Sequence, residues 1–157
     1  MNHTQDEQAI RDLVAAFVAG WNAGEGDACG RPFAENADFT AVTGTRARSR
    51  DLIARGHAEI LSTVFHGTAL SATVNDIAFL RPDVAAADVT FRIAPMADKP
   101  WLPPYSSCGL VATKERGAWS IVLFRNLVPY GRPVASPLDR ELMYARRTAV
   151  DAAQVCS

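Results

Sequence analysis

Among the residues able to do chemistry, His57 is the one whose position is set by spacing. A helix expected to start at Ser49 or Asp51 puts it on one apolar stripe with Leu52, Ile53, Ile60, Leu61 and Val64. An imidazole titrates near neutrality, so in a cleft it could shuttle a proton, whereas a buried and hydrogen-bonded one is a neutral core residue. The other reactive side chains are scattered. His3 and His66 read as solvated, and histidines this dispersed do not make a metal site. Cys29, Cys108 and Cys156 are odd in number and lack a C-x-x-C spacing, which fits reduced thiols. No Gly-x-Gly-x-x-Gly follows a strand, and there is no Walker loop and no Gly-x-Ser-x-Gly turn, so no nicotinamide, flavin or nucleotide cofactor is expected.

These residues sit in a chain of 157 with 48% apolar content, enough for one domain with its own core. Sixteen basic residues against seventeen acidic leave a net charge of -1 with no Lys/Arg run, which excludes a nucleic-acid surface. The N-terminus is polar and acidic, and no apolar run reaches the roughly 18 residues of a membrane span, so a cytoplasmic location is expected.

Residues 4–21 predict a long amphipathic helix. Thr4 and Glu7 form a capping box, Ile10, Leu13, Val14, Phe17, Val18 and Trp21 form the stripe, and Gly24 ends it. A shorter helix is expected over 27–34 and an extended segment over 38–42, then a loop over 43–50 before the helix that carries His57. From Thr68 the period becomes two. Strands 68–80 and 84–93 turn at Arg81-Pro82-Asp83, and strands 105–114 and 119–128 turn at Glu115-Arg116-Gly117-Ala118. Between the hairpins, 94–104 must be irregular, because Pro95, Pro100, Pro103 and Pro104 deny it a ladder.

The last strand is apolar on both faces, with Trp119, Ile121 and Leu123 on one and Val122, Phe124 and Val128 on the other. One face meets the domain's own core. The other needs a cover, either a twofold sheet-to-sheet homodimer or a C-terminal helix starting at Ser136-Pro137-Leu138-Asp139. The division expected is a domain over 1–135 and a helical extension or tail over 136–157.

The order helix, short helix, strand, helix and two hairpins resembles the SnoaL-like members of the nuclear-transport-factor-2-like superfamily. The anchors are Trp21-Asn22-Ala23-Gly24, Phe33-Ala34-Glu35-Asn36-Ala37-Asp38-Phe39 and Gly56-His57-Ala58-Glu59-Ile60. The stretches 39–45, 109–114 and 124–129 look like the SgcJ/EcaC group, associated with enediyne and other polyketide biosynthesis. The resemblance implies an α+β cone, in which a strongly bent sheet wraps the N-terminal helices around an internal pocket for a flat apolar molecule. The group often carries an oxidoreductase label, which no cofactor motif here supports.

Matched through these anchors, the ketosteroid isomerases of the same fold would place their base and oxyanion-hole donors at Phe17, Ala41 and Gly109. None of these can move a proton, which rejects that mechanism. The same match turns Asp88, Thr90 and Arg92 into the cone with Val111, Val122, Phe124 and Asn126, and sends Ala87, Val89 and Phe91 outward to the dimer face with Trp119 and Ile121. Asp88 is then either an acid/base carboxyl with a raised pKa or an ionised partner of Arg92. Phe39 joins the lining, Trp21 either lines the pocket or plugs the helix against the sheet, and Asn126 is either a ligand contact or a structural bridge. Trp101 and Tyr105 form either a lid or a packed surface turn.

The expectation is a cofactor-free dimer that holds a small apolar, polyene or polyketide ligand and assists its folding, cyclisation or isomerisation, with a polyketide synthase as partner. His57 and Asp88 are its candidate catalytic residues. The alternative is a binding or accessory protein with the same cavity and no chemistry.

Overall fold

The computed structural model describes residues 3–95, 98 and 104–128. Trp101 and the segment 136–157, expected above as part of a lid and as a C-terminal cover, lie outside the described residues. The elements run α1 (His3–Ala23), α2 (Gly26–Gly30), β1 (Phe33–Thr40), β2 (Arg46–Ala47), α3 (Arg50–Ser62), β3 (Ala69–Arg81), β4 (Val84–Ala94), β5 (Tyr105–Glu115) and β6 (Ala118–Leu127).

The expected stripe buries α1. Ile10, Val14, Phe17 and Trp21 are all in the core, a spacing of four, three and four that keeps them on one side of a 3.6-residue turn. Gly24 stops the helix in a left-handed conformation, φ 72°. Its N–H donates to the Trp21 carbonyl at 2.9 Å and the Glu25 N–H donates to the Gly20 carbonyl at 2.9 Å, the paired bonds of a Schellman end. Asn22 then staples this end to the sheet: its Nδ2 donates to the Leu70 carbonyl at 3.0 Å and its Oδ1 accepts from the Leu70 N–H at 2.6 Å. Asn22→Ala strands both backbone groups, and equilibrium urea unfolding should show a loss of about 2 kcal/mol. The helix α3 starts at Ser49, whose side chain accepts from the Leu52 N–H.

The sheet has the order β2-β1-β6-β5-β4-β3, antiparallel throughout except for the parallel pair β1 and β6. Its inner face packs on α1 and α3. Both hairpin turns fall where expected, and at the second Arg116 and Gly117 have φ 50° and 84°, the positive values a two-residue hairpin turn needs.

Four local expectations are corrected. The second helix ends at Gly30 rather than 34, and the strand begins at Phe33 rather than 38. Phe-Ala-Glu-Asn-Ala-Asp has little β-propensity, but pairing with β6 overrides it, starting where the Ile121 N–H donates to the Pro32 carbonyl at 2.9 Å. Within the expected loop 43–50, Arg46 and Ala47 form an edge strand on Phe39 and Thr40. The first helix begins at His3, so Thr4 lies inside it.

The larger corrections concern strand phase. Ala85, Ala87, Val89 and Phe91 are at most 4% exposed, whereas Asp88 and Arg92 are exposed and Thr90 is half-buried. The expected inward set of β4 is therefore the outward one. Either phase satisfies alternation, but this one buries Val89 and Phe91, gaining about 1.5–3 kcal/mol each, and keeps a carboxylate and a guanidinium in water. In β5 the buried residues are Ser106, Cys108, Leu110 and Ala112, so Val111 faces outward. In β6 the register steps from Ala112 and Ile121 to Val111 and Leu123, leaving Val122 as an extra residue in a bulge. The bulge reverses the phase, so Trp119, Ile121 and Phe124 all reach the core. Trp119, Ile121, Ala87, Val89 and Phe91 are thus core residues of this chain and not a dimer face.

Candidate functional site

Between the inner face of the sheet and the helices lies a cavity of about 450 Å³. Phe17 and Trp21 of α1 and Ile53, His57 and Ile60 of α3 line it on one side, with Phe39, Phe91, Ser106 and Asn126 of the sheet on the other. It opens where Val42, Leu52 and Val64, exposed by 36%, 46% and 36%, form an apolar rim. Arg46 and Glu59, also exposed, are the charged residues of that rim.

His57 sits at the inner end, 5% exposed. Its ring meets Phe17 at 5.2 Å, Phe39 at 5.3 Å and Trp21 at 6.2 Å, each close to edge-on. Nδ1 lies 2.7 Å from the Ile53 carbonyl oxygen. A carbonyl only accepts, so Nδ1 carries the proton and Nε2 keeps a lone pair. Burial among aromatic walls holds the imidazole below its ordinary value of 6.5, outweighing the help that the Ile53 carbonyl gives the charged form. The ring is neutral. Its sign for stability follows directly: above pH 6.5 neither state is charged, and below it the unfolded chain takes up a proton that the folded chain refuses. Stability should fall by up to about 1.4 kcal/mol per pH unit below that point, and His57→Gln should flatten the slope in urea melts.

Asp38 behaves differently and acts in a more acidic window. The Arg46 guanidinium, then that of Arg125 at 3.1 Å, bond its carboxylate and hold it below 3.8. These contacts tie β2, β1 and β6 together on the sheet's outer side and fix Arg46 beside the cavity mouth. The buried thiols are inert: desolvation pushes Cys29 up to about 12 and Cys108 higher still. Among the described residues no cluster of His, Cys, Asp or Glu could hold a metal ion.

Of the residues singled out by sequence, His57, Trp21, Phe39, Tyr105 and Asn126 meet at the cavity. Phe124 lies directly behind it, stacked on Phe39 at 4.9 Å. Asp88, Thr90, Arg92 and Val111 are on the opposite face and Val122 is in the bulge, so Asp88 is separated from His57 by the sheet itself. Trp21 does two things, lining the cavity and donating from Nε1 to the Thr68 hydroxyl at 3.2 Å. Ser106, buried beside Phe91, is a lining residue that sequence reasoning missed. Its signal was the phase of Cys108 and Leu110, which are two and four residues on.

No protein-family profile matches this chain, and no curated protein is significantly similar to it in sequence. Solved structures are similar across its length. A domain of unknown function with a cystatin-like fold from Nostoc punctiforme PCC 73102 superimposes with a TM-score of 0.72 at 27% identity, covering 97% of this chain and 96% of its own. An NTF-2-like protein of unknown function from Shewanella oneidensis MR-1 gives 0.67 at 16% identity, covering 78% and 99%. A protein from Novosphingobium aromaticivorans DSM 12444 named for a proposed scytalone dehydratase activity gives 0.63 at 16%, covering 87% and 95%. Among the described residues no helix is long and apolar enough to cross a membrane. The bent sheet, the wrapped helices and these likenesses agree: the chain has the cystatin-like cone fold of nuclear-transport-factor-2-like proteins.

Proposed function

We propose that this protein binds a small apolar or polyene molecule of the polyketide type and assists its cyclisation or isomerisation, without a cofactor, with His57 as the proton-transfer group. One observation carries the reading: a 450 Å³ apolar cavity whose inner end is a neutral imidazole with its proton fixed on Nδ1. Nε2 can take a proton from an acidified C–H or O–H of the ligand. The imidazolium so formed is desolvated, so it returns the proton readily to another atom of the same molecule. Reactions that give the proton back, such as tautomerisation and ring closure, suit such a base. The resemblance to the SgcJ/EcaC group adds the polyketide setting and a synthase as partner. The dehydratase name of one fold neighbour is compatible with elimination chemistry in a cavity of this kind.

The homodimer belongs to the proposal in altered form. The outer face that it would cover carries half-buried Val111, Val122 and Leu123, with Asp88, Arg92 and Arg125 around them.

A second reading, a carrier or accessory protein that shields its ligand, is favoured by the position of Asp88 on the far side of the sheet, where it cannot act as the acid partner of His57. Benzoylacetone, a 1,3-dicarbonyl with an acidic methylene, separates the two. Its deuterium exchange, followed by NMR, should be accelerated by the wild type and slowed roughly 100-fold by His57→Gln, with Asp88→Asn unchanged. Binding without acceleration would remove the catalytic reading and leave the carrier.

A further inference from the structure

The buried polar residues that line the cavity are uncharged. His57 and Ser106 are 5% and 8% exposed, and Oδ1 of Asn126 is shut off from solvent with no hydrogen-bond partner. Cys108 pairs with Asn126 across β5 and β6, which places Ser106 on the same inner face two residues away, a diagonal neighbour. The charged groups stay outside, since Arg46 and Glu59 are at the rim and Arg46 is already held by Asp38. Beside them Val42, Leu52 and Val64 form the apolar part of the rim, and large apolar side chains exposed around a cavity mark a surface that something apolar covers. The buried hydrogen-bonding groups are therefore neutral and the charges stay at the mouth, which does not suit an anionic head placed inside.

Resting on the reading of this cavity as a ligand site, we infer that it selects an elongated apolar molecule entering with a neutral, hydrogen-donating head, a phenol, enol or alcohol, bonded to Nε2 of His57. The hydrocarbon body then lies against Val42, Leu52 and Val64. The tautomer fixed by Ile53 makes Nε2 an acceptor only, so an ether or ketone oxygen brought against it gains no bond. A carboxylate would meet a lone pair with no cation at the floor to replace its water. The Ser106 hydroxyl remains for a second oxygen on the head, whichever role that oxygen needs. A head group with adjacent hydroxyl and carbonyl oxygens uses the whole set.

Calorimetric titration of the wild type with para-octylphenol, para-octylanisole and para-octylbenzoate at neutral pH tests this, because the probes differ only in the head. The phenol should bind at least about tenfold more tightly than either of the others, since a missing donor leaves a buried acceptor unpaired. In His57→Phe, which keeps the ring's bulk, phenol and ether should converge. Equal or tighter binding of the ether or the benzoate to the wild type overturns the inference and leaves the pocket standing. A preference that survives in His57→Phe does the same. Failure of all three probes to bind overturns the pocket itself, and with it the inference.

Discussion

Phe124→Ala is expected to destabilise the fold by about 4 kcal/mol, measured by guanidinium unfolding at pH 7. Phe124 is 1% exposed and is the hub of the aromatic core. Its ring lies 4.9 Å from Phe39, 5.7 Å from Phe17, 5.7 Å from Phe33 and 5.9 Å from Phe91. Those partners come from α1, β1 and β4, so no single element can relax into the space. Three of them, Phe39, Phe17 and Phe91, also wall the ligand cavity. The void therefore opens behind that wall, and surviving protein should bind apolar probes with altered size preference. A loss below about 1 kcal/mol would mean that this ring is not the keystone described.

Gly26→Ala is expected to cost about 3 kcal/mol or to prevent folding, because overpacking against rigid backbone has no cheap escape. A Cβ at Gly26 would stand 2.4 Å from the Ala54 carbonyl oxygen and 2.5 Å from the Ala58 backbone nitrogen. The two are main-chain atoms of α3 and flank His57 in sequence, so relief requires moving the helix that carries the site. Gly56→Ala is the control. It lies on the same helix, the methyl it adds would meet nothing within 4 Å, and it should stabilise by about 0.5–1 kcal/mol through helix propensity alone. Thermal melts of the pair should move in opposite directions.

What sequence could and could not say divides along physical lines. Helix periodicity is a phase-locked signal: six apolar positions of α1 and the stripe of α3 admit one orientation, which put Trp21 and His57 at the cavity. Turn chemistry was equally readable at Arg116-Gly117 and at Gly24, where positive φ demands particular residues. Strand alternation has only two phases, and both looked apolar enough in β4, where alanines dilute the contrast between Ala85, Ala87 and Val89 on one face and Ala86 and Val84 on the other. Choosing the phase from a distant resemblance brought Asp88 inward. The exposed alternatives, Asp88 and Arg92 on a single face, were the stronger local signal. The bulge at Val122 leaves no mark in the sequence, because it arises from pairing with β5 and β1 rather than from the residue itself. It is also why Phe124 and Asn126 were placed correctly while Trp119 and Ile121, a few residues earlier, were not. Ser106 was lost by the same reversal.

The proposed chemistry depends on a neutral His57 lining a ligand cavity, its proton on Nδ1 and its Nε2 lone pair available. The ¹⁵N spectrum of its ring, recorded across acidic and neutral pH and again with benzoylacetone, tests this most directly. Nδ1 should be protonated and Nε2 unprotonated, with no titration at the ordinary 6.5, and the Nε2 signal should shift when the probe is added. A ring that titrates at 6.5, or carries its proton on Nε2, or ignores the probe, would contradict it.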